Sequence, residues 1–110
     1  MYITYRSNKL KKHCLEFKEA QKAFGINAKK LMQRISEIQA APTLDDLNKL
    51  PPTRCHPLEG NREGQFAVDL KHPMRLIFEP VGIKEEIYPN GILDLTKVVE
   101  IKIIEIEDYH

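Results

Sequence analysis

Phe66-Ala67-Val68-Asp69-Leu70-Lys71-His72-Pro73-Met74-Arg75-Leu76-Ile77-Phe78 is the stretch that decides the fold. Phe66, Val68 and Leu70 alternate with Gln65, Ala67 and Asp69. Met74, Leu76 and Phe78 alternate with Arg75 and Ile77. A period of two on both sides of Lys71-His72-Pro73 predicts a β-hairpin with its turn near residues 71–73. Arg75 is out of phase with its apolar neighbours. If those face a core, Arg75 faces the open side of the sheet.

Upstream of the hairpin the pattern is helical. Tyr2-Ile3-Thr4-Tyr5 is a short β-type run, and residues 8–24 then carry Leu10, Cys14, Phe17 and Phe24 near one face. Gly25 is placed to stop that helix, and Asn27 to cap a second one with Leu31, Ile35 and Ile38 on one side. So short a link predicts an antiparallel helical hairpin. Pro42 closes the second helix, Thr43-Leu44-Asp45-Asp46 reads as the start of a short one at 44–49, and Pro51-Pro52 ends it.

Downstream, Pro80, Gly82, Pro89, Asn90 and Gly91 make residues 80–97 a long irregular excursion. Val98–Ile106 is a final strand whose apolar phase changes. Val99, Ile101 and Ile103 share one face, Ile104 and Ile106 the other. Either both faces are buried or a bulge shifts the phase. The order is β-α-α-β-β-β. It predicts an α+β fold in one domain spanning 1–110, an antiparallel sheet with the helical hairpin on one face.

Composition fits this reading. The 110 residues are 42% hydrophobic and 30% charged, a globular balance that can bury one core without staples. No apolar run is long enough for a membrane span, and Arg6, Lys9, Lys11 and Lys12 follow Met1 too soon for a secretory signal. Cys14 and Cys55, with no CxxC, read as reduced thiols of a cytoplasmic protein, not a disulfide or zinc framework. Charge is uneven. Residues 1–34 hold nine Lys and Arg against two acids, a net +7, and residues 79–110 hold three against eight, a net −5. The basic third is either a solvated helix face or a surface for an acidic polymer such as RNA.

Three segments together carry a family resemblance. Arg54-Cys55-His56-Pro57-Leu58-Glu59-Gly60-Asn61-Arg62-Glu63-Gly64-Gln65 precedes the first hairpin strand, Pro73-Met74-Arg75-Leu76-Ile77-Phe78 forms the second, and Glu105-Ile106-Glu107-Asp108-Tyr109-His110 closes the chain. In order and spacing they resemble the HigB-type (plasmid maintenance killer) toxins of the RelE/ParE superfamily. Those share an H-P-L-basic-G-acid-R-x-G loop, an R-aliphatic-x-F strand and a terminal D-Y-H. The resemblance implies a cytoplasmic endoribonuclease toxin, an mRNA interferase, from a toxin–antitoxin system. It also implies a helix-turn-helix antitoxin from the same operon, and mRNA as target, in the family usually in the ribosomal A site. No cofactor or metal is expected, because RNA can be cut by its own 2′-hydroxyl, given a base, an acid and a cation beside the phosphorane.

On that resemblance His110 moves a proton. An imidazole ordinarily titrates near ~6.5, and the adjacent α-carboxylate favours its charged form. Tyr109 stacks on a base, bonds a phosphate, or simply packs on the sheet. Asp108 orients an imidazole or supports the loop. Arg75 either grips a phosphate with its planar fork or forms a cross-strand ion pair with Asp69. Arg62 is the stronger phosphate candidate of the glycine-rich loop, whose N–H groups can also hold an anion. His56 is the other, although a lone histidine before proline reads first as a packed structural residue. Glu59 and Asn61 depart from the basic and acidic residues the family often has there, and a carboxylate near phosphate repels it. Two rival readings remain: a non-cleaving superfamily toxin of the gyrase-inhibitor type, and a plain protein-interaction module.

Overall fold

The computed structural model describes residues 1–108, so Tyr109 and His110 lie outside the described residues. Five strands form one sheet in the order β1-β5-β4-β3-β2. They are β1 (Tyr2–Tyr5), β2 (His56–Pro57), β3 (Phe66–Asp69), β4 (Met74–Pro80) and β5 (Glu100–Asp108). The hairpin is β3–β4, antiparallel with Phe66 opposite Phe78 and Asp69 opposite Arg75. The rings of Phe66 and Phe78 stack with centroids 5.9 Å apart.

The α+β class and the one-sided helical layer hold, with two corrections to the sheet. β1 runs parallel to β5, so the sheet is mixed. Nearly the whole chain separates these two strands, so no tight turn imposes an antiparallel pairing. The fifth strand, His56–Pro57, is a two-residue edge pairing too short to leave a periodic pattern.

The first helical stretch divides. α1 (Asn8–Leu15) is capped by Ser7, whose hydroxyl accepts from Leu10 N–H at 3.1 Å. Glu16 is extended, and α2 (Phe17–Phe24) starts anew. The break rotates the stripe. Leu10, Cys14 and Ala20 are buried, while Phe17, expected on that face, is 46% exposed. Gly25 ends α2 with φ +56°, in the left-handed region that glycine tolerates. α3 (Ala28–Ala40) buries Leu31, Ile35 and Ile38 as expected.

Asn27 does not cap α3 with its side chain. Its Oδ1 instead accepts from Lys71 N–H at 2.7 Å, tying the helix start to the hairpin turn. α4 (Leu44–Asn48) begins with a capping box between Thr43 and Asp46. The 80–97 excursion is less irregular than expected, with α5 (Lys84–Ile87) and a 3-10 turn at Leu95–Lys97. The core lies between helices and sheet. Leu31, Ile38, Leu44, Leu47, Leu76, Phe78, Ile101 and Ile103 are fully buried there, each contributing about 1.5–3 kcal/mol.

One buried charge holds the layers in register. Arg34 is 4% exposed. It donates from Nε to the Asp69 carbonyl at 2.7 Å, from Nη1 to Glu37 Oε1 at 2.6 Å and from Nη2 to the Pro52 carbonyl at 2.6 Å. A single side chain on α3 thus fixes β3 and the Pro51–Thr53 turn that leads into the glycine-rich loop.

Candidate functional site

The phase change in the last strand resolves as a bulge. Phe78 pairs with Ile103 and Ile77 with Glu105, which leaves Ile104 as the extra residue. Without it, Glu105 and Glu107 would share the core phase of Ile101 and Ile103. The bulge turns both glutamates to the open face and returns Ile106 to the core side, where it pairs with Leu76 and packs against the main core. Ile106 was expected on the face of Ile104; Ile104 instead packs on the open side with Ala67 and Ile77, beneath Leu58. Val99, expected in line with Ile101, precedes the strand and is exposed.

Two rungs of the open face follow from the register. One runs Asp69, Arg75, Glu107; the next runs His56, Ala67, Ile77, Glu105. Arg75 is therefore on the open face, as its phase predicted. Its cross-strand carboxylate is Glu107, not Asp69. Nε and Nη2 of Arg75 reach Glu107 Oε1 at 2.8 and 2.5 Å. Asp69 instead meets Arg54 Nε at 3.1 Å.

Arg62 arrives on the same rungs from the loop. Gly60 and Gly64 take φ +65° and +90°, values that favour glycine, and fold the chain so that Leu58 N–H donates to the Gln65 carbonyl at 2.9 Å. The Arg62 guanidinium donates to Gln65 Oε1 at 2.9 Å, to Glu107 Oε2 at 2.8 Å, and pairs with Glu105. The side chains of Arg62 and Arg75 keep 25% and 18% of their exposure. The loop's N–H groups are less open to an anion than expected. Those of Arg62, Glu63 and Gln65 donate to the carbonyls of Glu59, Gly60 and Arg62.

His56 is not the packed residue its lone position suggested. It is exposed at the edge of the same face. Its Nδ1 lies 2.7 Å from the Arg54 carbonyl. A carbonyl only accepts, so Nδ1 is the donor of this bond. Arg54, which presents that carbonyl, sits in the left-handed region at φ +48°. Asp108 ends β5 opposite Met74, exposed.

The structure thus brings together Arg62 and Arg75 and adds His56 two strands from Ile77. It also adds residues that the sequence reading gave no role: Glu105, Glu107 and Gln65. Their signal was the Glu105-Ile106-Glu107 alternation beside an arginine strand. Two grooves flank the cluster. One of about 340 Å³ opens between the loop at Leu58 and Gly64 and the excursion at Tyr88 and Leu93. The other, about 260 Å³, runs from Glu105 to Arg6, Lys9 and His13 of the basic N-terminal third. Among the described residues no cluster of three or more His, Cys, Asp or Glu is arranged to hold a metal ion. No described helix is long and apolar enough to cross a membrane.

A helical layer on one face of a five-stranded sheet, with the Arg62, Arg75 and Glu107 cluster on the other, makes a mixed α+β fold. A solved structure with this fold is the YoeB/ParE toxin from Agrobacterium tumefaciens, similar at TM-score 0.55 over 100% of both chains and 11% sequence identity. At that identity the likeness is one of fold. The sequence matches no family model and no curated protein.

Proposed function

We propose that the chain is a HigB-type toxin of a toxin–antitoxin system and cleaves mRNA by metal-independent attack of a 2′-hydroxyl. The observation that carries this reading is the meeting of Arg62 and Arg75 on the open face at Glu107, with His56 exposed on the same face. Two guanidinium groups side by side suit a phosphodiester, because each fork matches two phosphate oxygens. In the reaction the 2′-oxygen bonds to phosphorus, the bond to the 5′-oxygen breaks, and the proton lost by the first is made good on the second. Arg75 holds the developing phosphorane charge and Arg62 the flanking phosphate. A histidine moves the proton: His110 on the sequence resemblance, with His56 Nε2 as the second candidate. Tyr109 and Asp108 keep the roles of placing the nucleotide and orienting the imidazole.

The partners in this reading are mRNA, at the ribosome, and a helix-turn-helix antitoxin that silences the toxin in the cytoplasm. The groove beside Arg6 and Lys9 supplies room and positive charge for a single strand, and the groove beside Tyr88 supplies room and an aromatic ring. The test is incubation of purified chain with mRNA, alone and on translating ribosomes, with products ending in 2′,3′-cyclic phosphate. One observation favours a non-cleaving toxin of the gyrase-inhibitor type: Glu105 and Glu107 offset the charge an oxyanion needs. Growth arrest with intact mRNA would select that second reading.

A further inference from the structure

The four charges at the centre of the open face cancel. Arg62 and Arg75 supply two positive charges, Glu105 and Glu107 two negative ones, and Glu107 touches both arginines, one with each carboxylate oxygen. A carboxylate spanning two guanidinium groups makes the contacts a phosphate diester would make: two oxygens, each taking N–H groups from a different fork. The bulge at Ile104 is what turns Glu107 to that place, so its presence there is built into the backbone register.

We infer that Glu107 is a resident stand-in for phosphate. It seats the two arginines in the geometry a phosphodiester needs and must swing aside when the diester arrives, so it sets the affinity of the site for single-stranded RNA. The inference rests on the proposed function for its ligand, but it concerns binding and not cleavage. It has a thermodynamic consequence. Arginines already paired with carboxylates release few counterions when phosphate replaces the carboxylate. Salt dependence of RNA binding at this site is then weak, and removing the Glu107 charge steepens it.

The probe is a fluorescent 2′-O-methyl RNA hexamer, which cannot supply the attacking hydroxyl. Its binding is measured by anisotropy against wild type, Glu107→Gln and Glu85→Gln. The last removes one exposed acid from α5, away from the face, and controls for net charge. Glu107→Gln is expected to bind about two- to fivefold tighter than Glu85→Gln at low salt, the scale of one repulsion removed from a partly exposed site. Its log K against log salt is expected to steepen by about 0.7, one more phosphate neutralised. Equal or weaker binding by a folded Glu107→Gln overturns the inference. If that variant does not fold, the Arg Nε–Hε resonances of wild type decide. Movement of both the Arg62 and Arg75 signals on adding hexamer supports displacement, and two stationary signals overturn it. Tighter binding without cleavage of any RNA would sink the proposed nuclease and leave this inference standing. Cleavage with unchanged binding would do the reverse.

Discussion

In the proposed mechanism Arg75 is the residue on which the chemistry turns, and its neighbours say why. A guanidinium fixed by two bonds to Glu107 is pre-positioned, and a lysine's single ammonium cannot reproduce that fork. Arg75→Ala is expected to lower RNA cleavage by about 10²–10³, the loss of one oxyanion donor, and Arg75→Lys to recover only part of it. Single-turnover cleavage rates check this, and a wild-type rate in Arg75→Ala would remove the residue from the mechanism. The thiols give a prediction of another kind. Burial pushes Cys14 and Cys55 up to about 12 from an ordinary 9.0. Burial, with Cys14 close by, takes Tyr5 to about 12 from 10.0. All three are neutral in the fold at pH values where the unfolded chain has ionised them, so the unfolded state holds fewer protons there. Their contribution to stability is complete below pH 9 and falls as pH rises from about 9 to 12. Urea midpoints should therefore drop between pH 8.5 and 10.5, and a flat profile would show that burial is not what holds these groups neutral.

At the scale of elements, the hairpin and α3 were legible because each is one long unbroken period. Phe66–Asp69, Met74–Pro80 and the Leu31/Ile35/Ile38 stripe emerge with their predicted faces. The misses share a cause: a backbone irregularity that resets the period. Glu16 interrupts the first helix and turns Phe17 outward, and Ile104 interrupts the last strand and turns Glu105 and Glu107 toward the arginines. Neither break has a proline or glycine to announce it. The parallel partner of β1 and the two-residue β2 are decided by contacts distant in sequence, which periodicity does not carry. Arg34 likewise reads as one more base of a basic segment until α3 is packed on β3. Because it is buried with three partners, Arg34→Ala is expected to destabilise by about 3–5 kcal/mol, leaving the Glu37 carboxylate without its ion pair. Leu31→Ala should cost about 2–5 kcal/mol. Phe17→Ala should cost about 1 kcal/mol or less, because the helix break leaves it at the surface. Chemical denaturation separates these. A Phe17→Ala loss as large as that of Leu31→Ala would mean that the helix runs unbroken through Glu16.

For the whole molecule, the layout is a division of labour between two faces. The helices and the apolar side of the sheet make the core, and the other side carries Arg54, Arg62, Arg75 and His56 with their carboxylates. The fold was legible because it depends on pattern. The candidate site was legible in its arginines, which sit in motifs, but not in its glutamates, which a bulge delivers. Expression of the chain alone should arrest bacterial growth, and a helix-turn-helix antitoxin should relieve the arrest. Harmless high-level expression of the intact chain would count against a toxin. The most direct test of the central claim is cleavage of mRNA by the purified chain, with and without translating ribosomes and in the presence of EDTA, by wild type, Arg75→Ala, His56→Ala and His110→Ala. The account predicts 2′,3′-cyclic phosphate ends, no inhibition by EDTA, near-complete loss in Arg75→Ala, and a loss of about 10²–10⁴ in one of the two histidine variants. Intact mRNA with wild-type protein under both conditions, or wild-type rates in both histidine variants, would contradict it.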